Sequence, residues 1–271
     1  MTGRLAVRKT YKLWIGGAFV RSESGRYDEA EGVNYPRASR KDVRDAVAAA
    51  RKAAGSWAAR TAYNRGQILY RAAEALESRA ATMGVPREEV DASVDVLLHY
   101  AGWTDKLHAV LGGVNPIAAP FLSFSLPEPT GVVGIVAPDA PALLGLVAEL
   151  APALAAGNVA VAVLSETTPL PGLDLAEALG VSDVPGGVVN LLSGRRHELA
   201  SALGAHRDVN AVLEAAGDRE LSAELDRLGA ETIKRVRHAA PATSYEDATD
   251  DALERLHTVT ELKTAWHPVG A

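Results

Sequence analysis

The chain has 271 residues, of which 48% are hydrophobic, and its formal net charge is −6. A chain of this length can bury a substantial core, and its acidic balance argues against a nucleic-acid partner, because binding to a phosphate backbone needs an excess of positive charge. The sequence contains no cysteine, which excludes disulfides, zinc–thiolate sites, iron–sulfur clusters and any thiol nucleophile.

The first part of the chain, residues 1–114, is predicted to form an edge segment followed by helices. It begins without an apolar segment and cleavage site of the kind that directs export, so we expect a cytoplasmic protein with no membrane partner. Short β-rich runs separated by turn formers over residues 11–36 are typical of an edge segment. Apolar residues then recur at helical spacing. The predicted helices cover residues 41–57, 62–83 and 87–111.

The rest of the chain divides into three predicted parts. Residues 115–130 alternate apolar and small polar residues, which indicates a protruding hairpin. Over residues 131–239 short apolar strands alternate with helices, and this pattern predicts a doubly wound parallel α/β sheet of the Rossmann type. Residues 240–271 form an acidic linker with a short helix and then a strand.

One stretch, residues 140–164, is apolar enough to be compared with a membrane span. Such a span needs about 20 apolar residues in one run, whereas Pro141, Pro152 and Gly157 interrupt this one. The sequence therefore favours a buried helix followed by a buried parallel strand.

Several phrases, in this order, resemble the aldehyde dehydrogenase superfamily over nearly the whole chain. They are YKLWIGGAFV, TAYNRGQILYRAAEALE, GVVGIVAP, LAPALAAGN and VPGGVVNLLSG. Members of the family combine a dinucleotide-binding domain, a catalytic domain and a small oligomerisation sheet built from a hairpin and the C-terminal strand. The resemblance implies that this chain has the first and the third parts but lacks the catalytic domain, because ELKTAWHPVG resembles the family's C-terminal end. Pro138 and Asp139 are typical of a divergent branch, since most members have Pro-Trp-Asn there.

The resemblance also assigns the family's chemistry to positions that hold other residues here. The family attacks the aldehyde with a cysteine thiolate, and this chain has no cysteine. The asparagine that holds the oxyanion falls on Ala140, and the general-base glutamate falls on Ala239. The lysine that binds the cofactor's adenosine ribose falls on Val163.

The family's pyrophosphate-binding Gly-Ser pair falls near Ala216 and Gly217, and Asp218 follows. An aspartate at the start of a helix caps the helix's own N–H groups, and its charge repels a phosphate. The vestigial cofactor-binding positions, as the resemblance assigns them, are Ser165, Glu166, Gly194 and Gly217. We expect no bound cofactor, or NAD or NADP if another chain completes the site.

Other candidate sites are weaker. The seven histidines show no metal-ligand spacing, so no metal site is predicted. The acidic residues between 246 and 251 are interpreted as a solvated linker. Arg195 and Arg196 follow Gly194 at the edge where open α/β sheets bind ligands, and we favour a surface role for them over anion binding.

Three functional hypotheses remain open. The favoured one is a catalytically inactive, truncated homologue that acts as a structural or regulatory subunit, either self-associated or joined to a full-length aldehyde dehydrogenase. An alternative is an NAD(P)-dependent aldehyde oxidoreductase that requires a partner chain. Another is a nucleotide or small-anion sensor that uses Ser165, Glu166, Gly194 and Arg195.

Overall fold

The computed structural model describes residue 7 and residues 9–269. The strands in this part of the chain are β1 (Leu13–Ile15), β2 (Ala18–Val20), β3 (Tyr27–Ala30), β4 (Val33–Pro36), β5 (Gly113–Asn115), β6 (Phe121–Pro129), β7 (Val132–Val136), β8 (Val159–Val163), β9 (Val189–Leu192), β10 (Ala211–Glu214), β11 (Arg235–His238) and β12 (Thr260–Pro268). The α-helices are α1 (Arg40–Ala58), α2 (Ala62–Glu77), α3 (Arg87–Trp103), α4 (Leu107–Leu111), α5 (Ala142–Ala155), α6 (Leu170–Val181), α7 (Arg196–Ala205), α8 (Arg219–Ala230), α9 (Tyr245–Thr249) and α10 (Ala252–Thr258).

The centre of the fold is a seven-stranded sheet with the order β11-β10-β7-β8-β9-β1-β2. The strands from β11 to β9 run parallel to their neighbours, whereas β1 and β2 are antiparallel and close one edge. This arrangement confirms the predicted α/β class. Since β8 and β10 lie on opposite sides of β7, the chain reverses its direction across the sheet next to β7, and ligands of open α/β sheets bind at such a point.

The middle of the sheet is buried on both faces. Every residue of β7 and β8 is buried, and so is every residue of α5, which packs on this sheet. These elements confirm the predicted buried helix and strand of residues 140–164. In the described part of the chain, no helix combines the length and the apolar character that a membrane crossing requires.

One buried carboxylate connects this core with the C-terminal segment. Glu149 lies in the middle of α5 and is 1% exposed. Its two carboxylate oxygens accept hydrogen bonds from Nη1 of Arg255, at 2.6 Å, and from Nη1 of Arg237, at 3.1 Å. Because Arg255 belongs to α10 and Arg237 to β11, these ion pairs hold both elements against α5.

The N-terminal helices differ from the prediction at their ends. The second ends at Glu77 and is followed by a 3₁₀ turn over Ala80–Thr82, rather than continuing to residue 83. The third is broken after Trp103, where the hydroxyl of Thr104 donates to the carbonyl of Ala101 at 2.9 Å. Such a local hydrogen bond competes with the helical pattern, so α3 and α4 are separate helices.

A second sheet, of three antiparallel strands in the order β12-β6-β5, lies apart from the central one. The strand β12 pairs with β6 along nine residues, from Thr260 opposite Pro129 to Pro268 opposite Phe121. The extended segment and the C-terminal strand therefore meet in one sheet, as the sequence predicted. From Leu262 onwards the residues of β12 are exposed.

Candidate functional site

Four loops follow the carboxyl ends of parallel strands at one edge of the central sheet. Asp139 lies beyond β7, Ser165 and Glu166 beyond β8, Gly194 beyond β9, and Gly217 beyond β10. The topology thus brings the predicted positions to a common edge. This edge is the candidate site.

Asp139 is the centre of the hydrogen bonds at this edge. Its Oδ1 accepts from Ser165 Oγ at 2.9 Å and from Arg196 Nη2 at 2.5 Å. The same oxygen accepts from the backbone N–H groups of Glu166, at 3.0 Å, and Thr167, at 3.3 Å. Four donors therefore converge on one carboxylate oxygen.

These donors determine the charge of Asp139. Partial burial by itself raises the pKa of the carboxyl group, but hydrogen bonds from Arg196 and Ser165 outweigh it and lower the pKa from 3.8 to about 2. Asp139 is therefore ionised at neutral pH, and its negative charge faces a buried guanidinium.

Glu166 is also held by neighbouring groups. Its Oε2 accepts from the backbone N–H of Arg196 at 2.7 Å, and its Oε1 accepts from Nη1 of Arg195 at 3.0 Å. Arg195 lies 3.8 Å from Asp28 as well.

Arg196 is 9% exposed, so it is a buried partner of Asp139 and the surface role predicted for it is wrong.

The loop after β10 is closed by its own aspartate. Gly217 adopts a positive φ of 72°, and Asp218 then caps α8 by accepting from the N–H groups of Glu220 and Leu221, each at 3.1 Å. These bonds, chiefly the one from Leu221, together with His197 at 2.7 Å, lower the pKa of Asp218. The predicted capping role of Asp218 is present.

Close packing around Gly194 leaves little room for a side chain. Its φ is 148°, and a Cβ built on it would lie 3.1 Å from the backbone nitrogen of Ala38 and 3.2 Å from a methyl group of Leu199. The close approach of the chain to Ala38 therefore explains this glycine without a ligand.

No group of three or more histidine, aspartate or glutamate side chains in the described residues is arranged to hold a metal ion. In the acidic segment, Asp247 accepts from the hydroxyl and the N–H of Thr243, and the hydroxyl of Ser244 caps α9 by accepting from the N–H of Asp247. Part of the predicted linker is thus helical.

The chain is similar to known proteins in sequence and in fold. The aldehyde dehydrogenase family matches the chain over residues 22–252. The chain belongs to this family. It is 33% identical over 220 residues to an aldehyde dehydrogenase of Aspergillus niger, a match that covers 74% of this chain and 44% of that protein. It is also 33% identical to the human cytosolic 10-formyltetrahydrofolate dehydrogenase, with coverage of 76% of this chain and 25% of that protein.

A solved structure agrees with these matches. The NAD+ complex of an aldehyde dehydrogenase from Bacillus cereus superposes with a TM-score of 0.80 at 29% identity, covering 85% of this chain and 50% of that chain. These matches therefore cover about half of each relative or less.

The edge lacks the free donors that a dinucleotide needs. A pyrophosphate binds at free N–H groups of a helix start, and here Asp218 already accepts the N–H groups of Glu220 and Leu221. The N–H groups of Glu166 and Thr167 are taken by Asp139. Two ionised carboxylates thus stand where phosphate would need donors, and the edge does not fit NAD.

The positions assigned to the family's other functions carry apolar side chains. Val163 is the last residue of β8 and is fully buried, whereas Ala140 is exposed beyond β7. Ala239 follows β11, and its N–H donates to the carbonyl of Glu214 at 2.8 Å. None of these three side chains has a polar atom that could bind or transfer a proton.

The sequence did not lead us to predict that Glu214 and Arg196 are buried at this edge. Glu214, at the end of β10, is 1% exposed and accepts from the N–H of Ala216 and the hydroxyl of Ser222. Arg196 was assigned to the surface. The available signal was a row of hydroxyl residues after β8 opposite Asp139, since buried hydroxyl and carboxylate groups need partners.

Proposed function

We propose that this chain is a catalytically inactive aldehyde dehydrogenase homologue that acts as a structural or regulatory subunit, joined to a full-length aldehyde dehydrogenase. The observation that carries the proposal is the absence of cysteine from a chain with the family's fold. Loss of the nucleophile from an enzyme that depends on it, such as subtilisin, reduces turnover by about 10⁶. Ala140 and Ala239 offer no replacement donor or base.

The candidate site supports the same proposal. In an active site, donors remain available for the substrate or for the charge that develops in the reaction. At this edge Asp139 and Glu166 accept the donors of the neighbouring loops, and Asp218 accepts those of α8. The polar groups stabilise the fold instead of presenting a ligand site.

The exposed surface of the three-stranded sheet supports the proposal that the chain binds a partner. Apolar side chains of this sheet remain exposed, and Trp266 and Leu262 on β12 are 58% and 48% exposed. Large exposed apolar residues close together mark interaction surfaces. Within the described residues, β12 has β6 as its one neighbouring strand.

Co-expression with a full-length aldehyde dehydrogenase of the same genome, followed by size-exclusion chromatography, tests the proposal. We expect the two chains to elute together in one peak. The variant Trp266→Ser is expected to weaken this complex, whereas Tyr63→Ser, which removes an exposed aromatic residue on α2, is the matched control. Separate elution of the two wild-type chains would show that the mixed complex is wrong.

A second candidate function is NAD(P)-dependent aldehyde oxidation with a partner chain that supplies the nucleophile. The NAD+ complex of the Bacillus cereus relative favours this candidate. Aldehyde oxidation is therefore measured with NAD+ for this chain alone, for the full-length enzyme and for their complex. The full-length enzyme has its own nucleophile, so turnover by the complex does not by itself support this candidate. It supports the candidate only if variants of Asp139 or Glu166 in this chain change the turnover of the complex.

A further inference from the structure

The donors around Asp139 have the composition of a complete oxyanion site. A hydroxyl group of Ser165, two backbone N–H groups of Glu166 and Thr167, and the guanidinium of Arg196 all lie within 3.3 Å of Oδ1. They come from the loop after β8 and from the start of α7. Carboxylate and phosphate oxygens accept such donor sets in proteins, and charged donors make these hydrogen bonds strong.

Burial shows that these donors form a built site. Ser165 is 2% exposed and Arg196 is 9% exposed. The Nε of Arg196 is buried and has no hydrogen-bond partner among the described residues. A guanidinium binds an oxyanion best through two N–H groups at once, but Asp139 accepts from Nη2 alone. The guanidinium thus keeps one unused donor beside the carboxylate.

We propose that this is a binding site for phosphate-like oxyanions and that the chain's own Asp139 carboxylate is its resident ligand. The inference rests on the proposed function, and it gives a reason why the edge does not fit a dinucleotide: the donors are present but filled. A side chain tethered next to its site acts at a high effective concentration. Free phosphate therefore displaces Asp139 from the native protein only at concentrations well above those that fill the site without this carboxylate.

A neighbouring carboxylate adds to this exclusion. Glu166 is held at the same loop by Arg195 and by the backbone N–H of Arg196. Two negative charges thus stand at the entrance to one buried guanidinium. Removing Asp139 leaves Arg196 without its closest counter-charge, which favours the entry of an anion from solution.

The test is a titration of the full chain with inorganic phosphate. NMR measures the backbone amide resonances of Glu166 and Thr167 during this titration. In Asp139→Ala we expect both resonances to shift with saturation at millimolar phosphate, whereas wild type should need at least about tenfold more. The double variant Asp139→Ala/Arg196→Met is expected to lose the response. Asp218→Ala, which removes another carboxylate from the same edge, should leave these two amides unresponsive.

A folded Asp139→Ala variant that shows no phosphate response, or wild type that responds at the same concentrations, would overturn the proposal. If Asp139→Ala does not fold, Asp139→Asn keeps the size of the side chain without its charge, and phosphate is expected to raise its melting temperature but not that of wild type. An unchanged melting temperature of folded Asp139→Asn also counts against the site. Because no partner chain is involved, failure here leaves the co-elution test of the subunit role unaffected.

Discussion

At the carboxyl edge of the central sheet, carboxylates accept hydrogen bonds from neighbouring guanidinium, hydroxyl and backbone N–H groups, whereas in the three-stranded sheet apolar side chains remain exposed to solvent. Asp139 illustrates the first region, with four donors on one oxygen. Trp266 illustrates the second, with 58% of its surface exposed. The difference teaches that the carboxylates of the edge are held by contacts within the chain, whereas the three-stranded sheet leaves apolar surface uncovered, which under the proposed function a partner covers.

The ion pairs of Glu149 hold β11 of the central sheet and α10, the helix that directly precedes β12, against α5, and we expect their loss to have the largest effect. Glu149→Leu leaves the buried Arg255 without its counter-charge, so the free energy of unfolding is expected to fall by about 3–5 kcal/mol. Urea denaturation measures this change. The double variant Glu149→Leu/Arg255→Met also removes the more buried guanidinium and leaves only the more exposed Arg237 without its partner, so it should recover most of the loss. A single variant that costs less than about 1 kcal/mol would contradict the prediction.

The variant Trp266→Ser tests whether the three-stranded sheet forms an interface with a partner. This substitution should weaken association by more than about tenfold, because buried tryptophans are among the strongest contributors to interfaces. Its effect on the free energy of unfolding of the isolated chain should stay within about 0.5 kcal/mol, as for other exposed positions. Sedimentation and urea denaturation measure the two quantities, and equal association by wild type and variant would remove the sheet from the interface.

The ionisation of Asp139 is expected to make the free energy of unfolding depend on pH. A carboxylate whose pKa is lowered by folding stabilises the native state above its unfolded pKa, and this contribution is lost as the pH falls through the folded value. With a pKa of about 2 for Asp139, and a side chain that is about one-third exposed, the contribution is on the order of 1 kcal/mol after solvent screening.

Urea denaturation of wild type and Asp139→Asn between pH 7 and pH 2 measures this contribution. The difference in unfolding free energy should be constant down to about pH 4 and then decrease towards pH 2. A difference that does not change over this range would show that ionised Asp139 is not what stabilises the edge.

The smallest expected effect concerns the contact of α3 with α9. His99 Nε2 accepts from the indole N–H of Trp103 at 2.9 Å, and its Nδ1 lies 3.2 Å from the hydroxyl oxygen of Tyr245. Burial, together with the charge of Lys106, lowers the pKa of His99 below 6.5. A histidine with a lowered pKa stabilises the fold above its unfolded pKa, and this contribution is lost as the pH falls.

Protonated His99 cannot accept the indole hydrogen bond, since both of its ring nitrogens are then donors. We therefore expect the indole N–H resonance of Trp103 to shift below pH 6.5 and the stability difference between wild type and Trp103→Phe to disappear, an effect of less than about 1 kcal/mol. An indole resonance that does not move between pH 7 and pH 5 would contradict this assignment.

The sequence predicted those parts of the fold that depend on local pattern. The buried strands β7 and β8 are continuous apolar runs, and such runs are typical of parallel sheets. Asp218 was recognised as a helix cap because capping involves residues that are two or three positions apart. The pairing of β6 with β12 came from the resemblance to the family, not from residue spacing.

Other features depend on residues far apart in sequence. Asp139 and Arg196 are separated by 57 positions, and Glu149 and Arg255 by 106. Hydrophobic periodicity reports which face of an element is buried, but it carries no information about which charged side chains meet after folding. The sequence therefore indicated that polar groups meet at this edge, but the contact of Arg196 with Asp139 could be found only in the structure.

The pairing of β6 with β12 has a consequence for synthesis on the ribosome. Ser125 and Thr264, whose hydroxyl oxygens lie 2.8 Å apart across these strands, are 139 residues apart in the chain. At translation rates of about 5–20 residues per second, roughly 7–28 seconds pass between the synthesis of the two positions. During that interval one side of β6 lacks its strand partner, and the nascent chain carries an unpaired β-edge with the apolar residues Leu122 and Leu126.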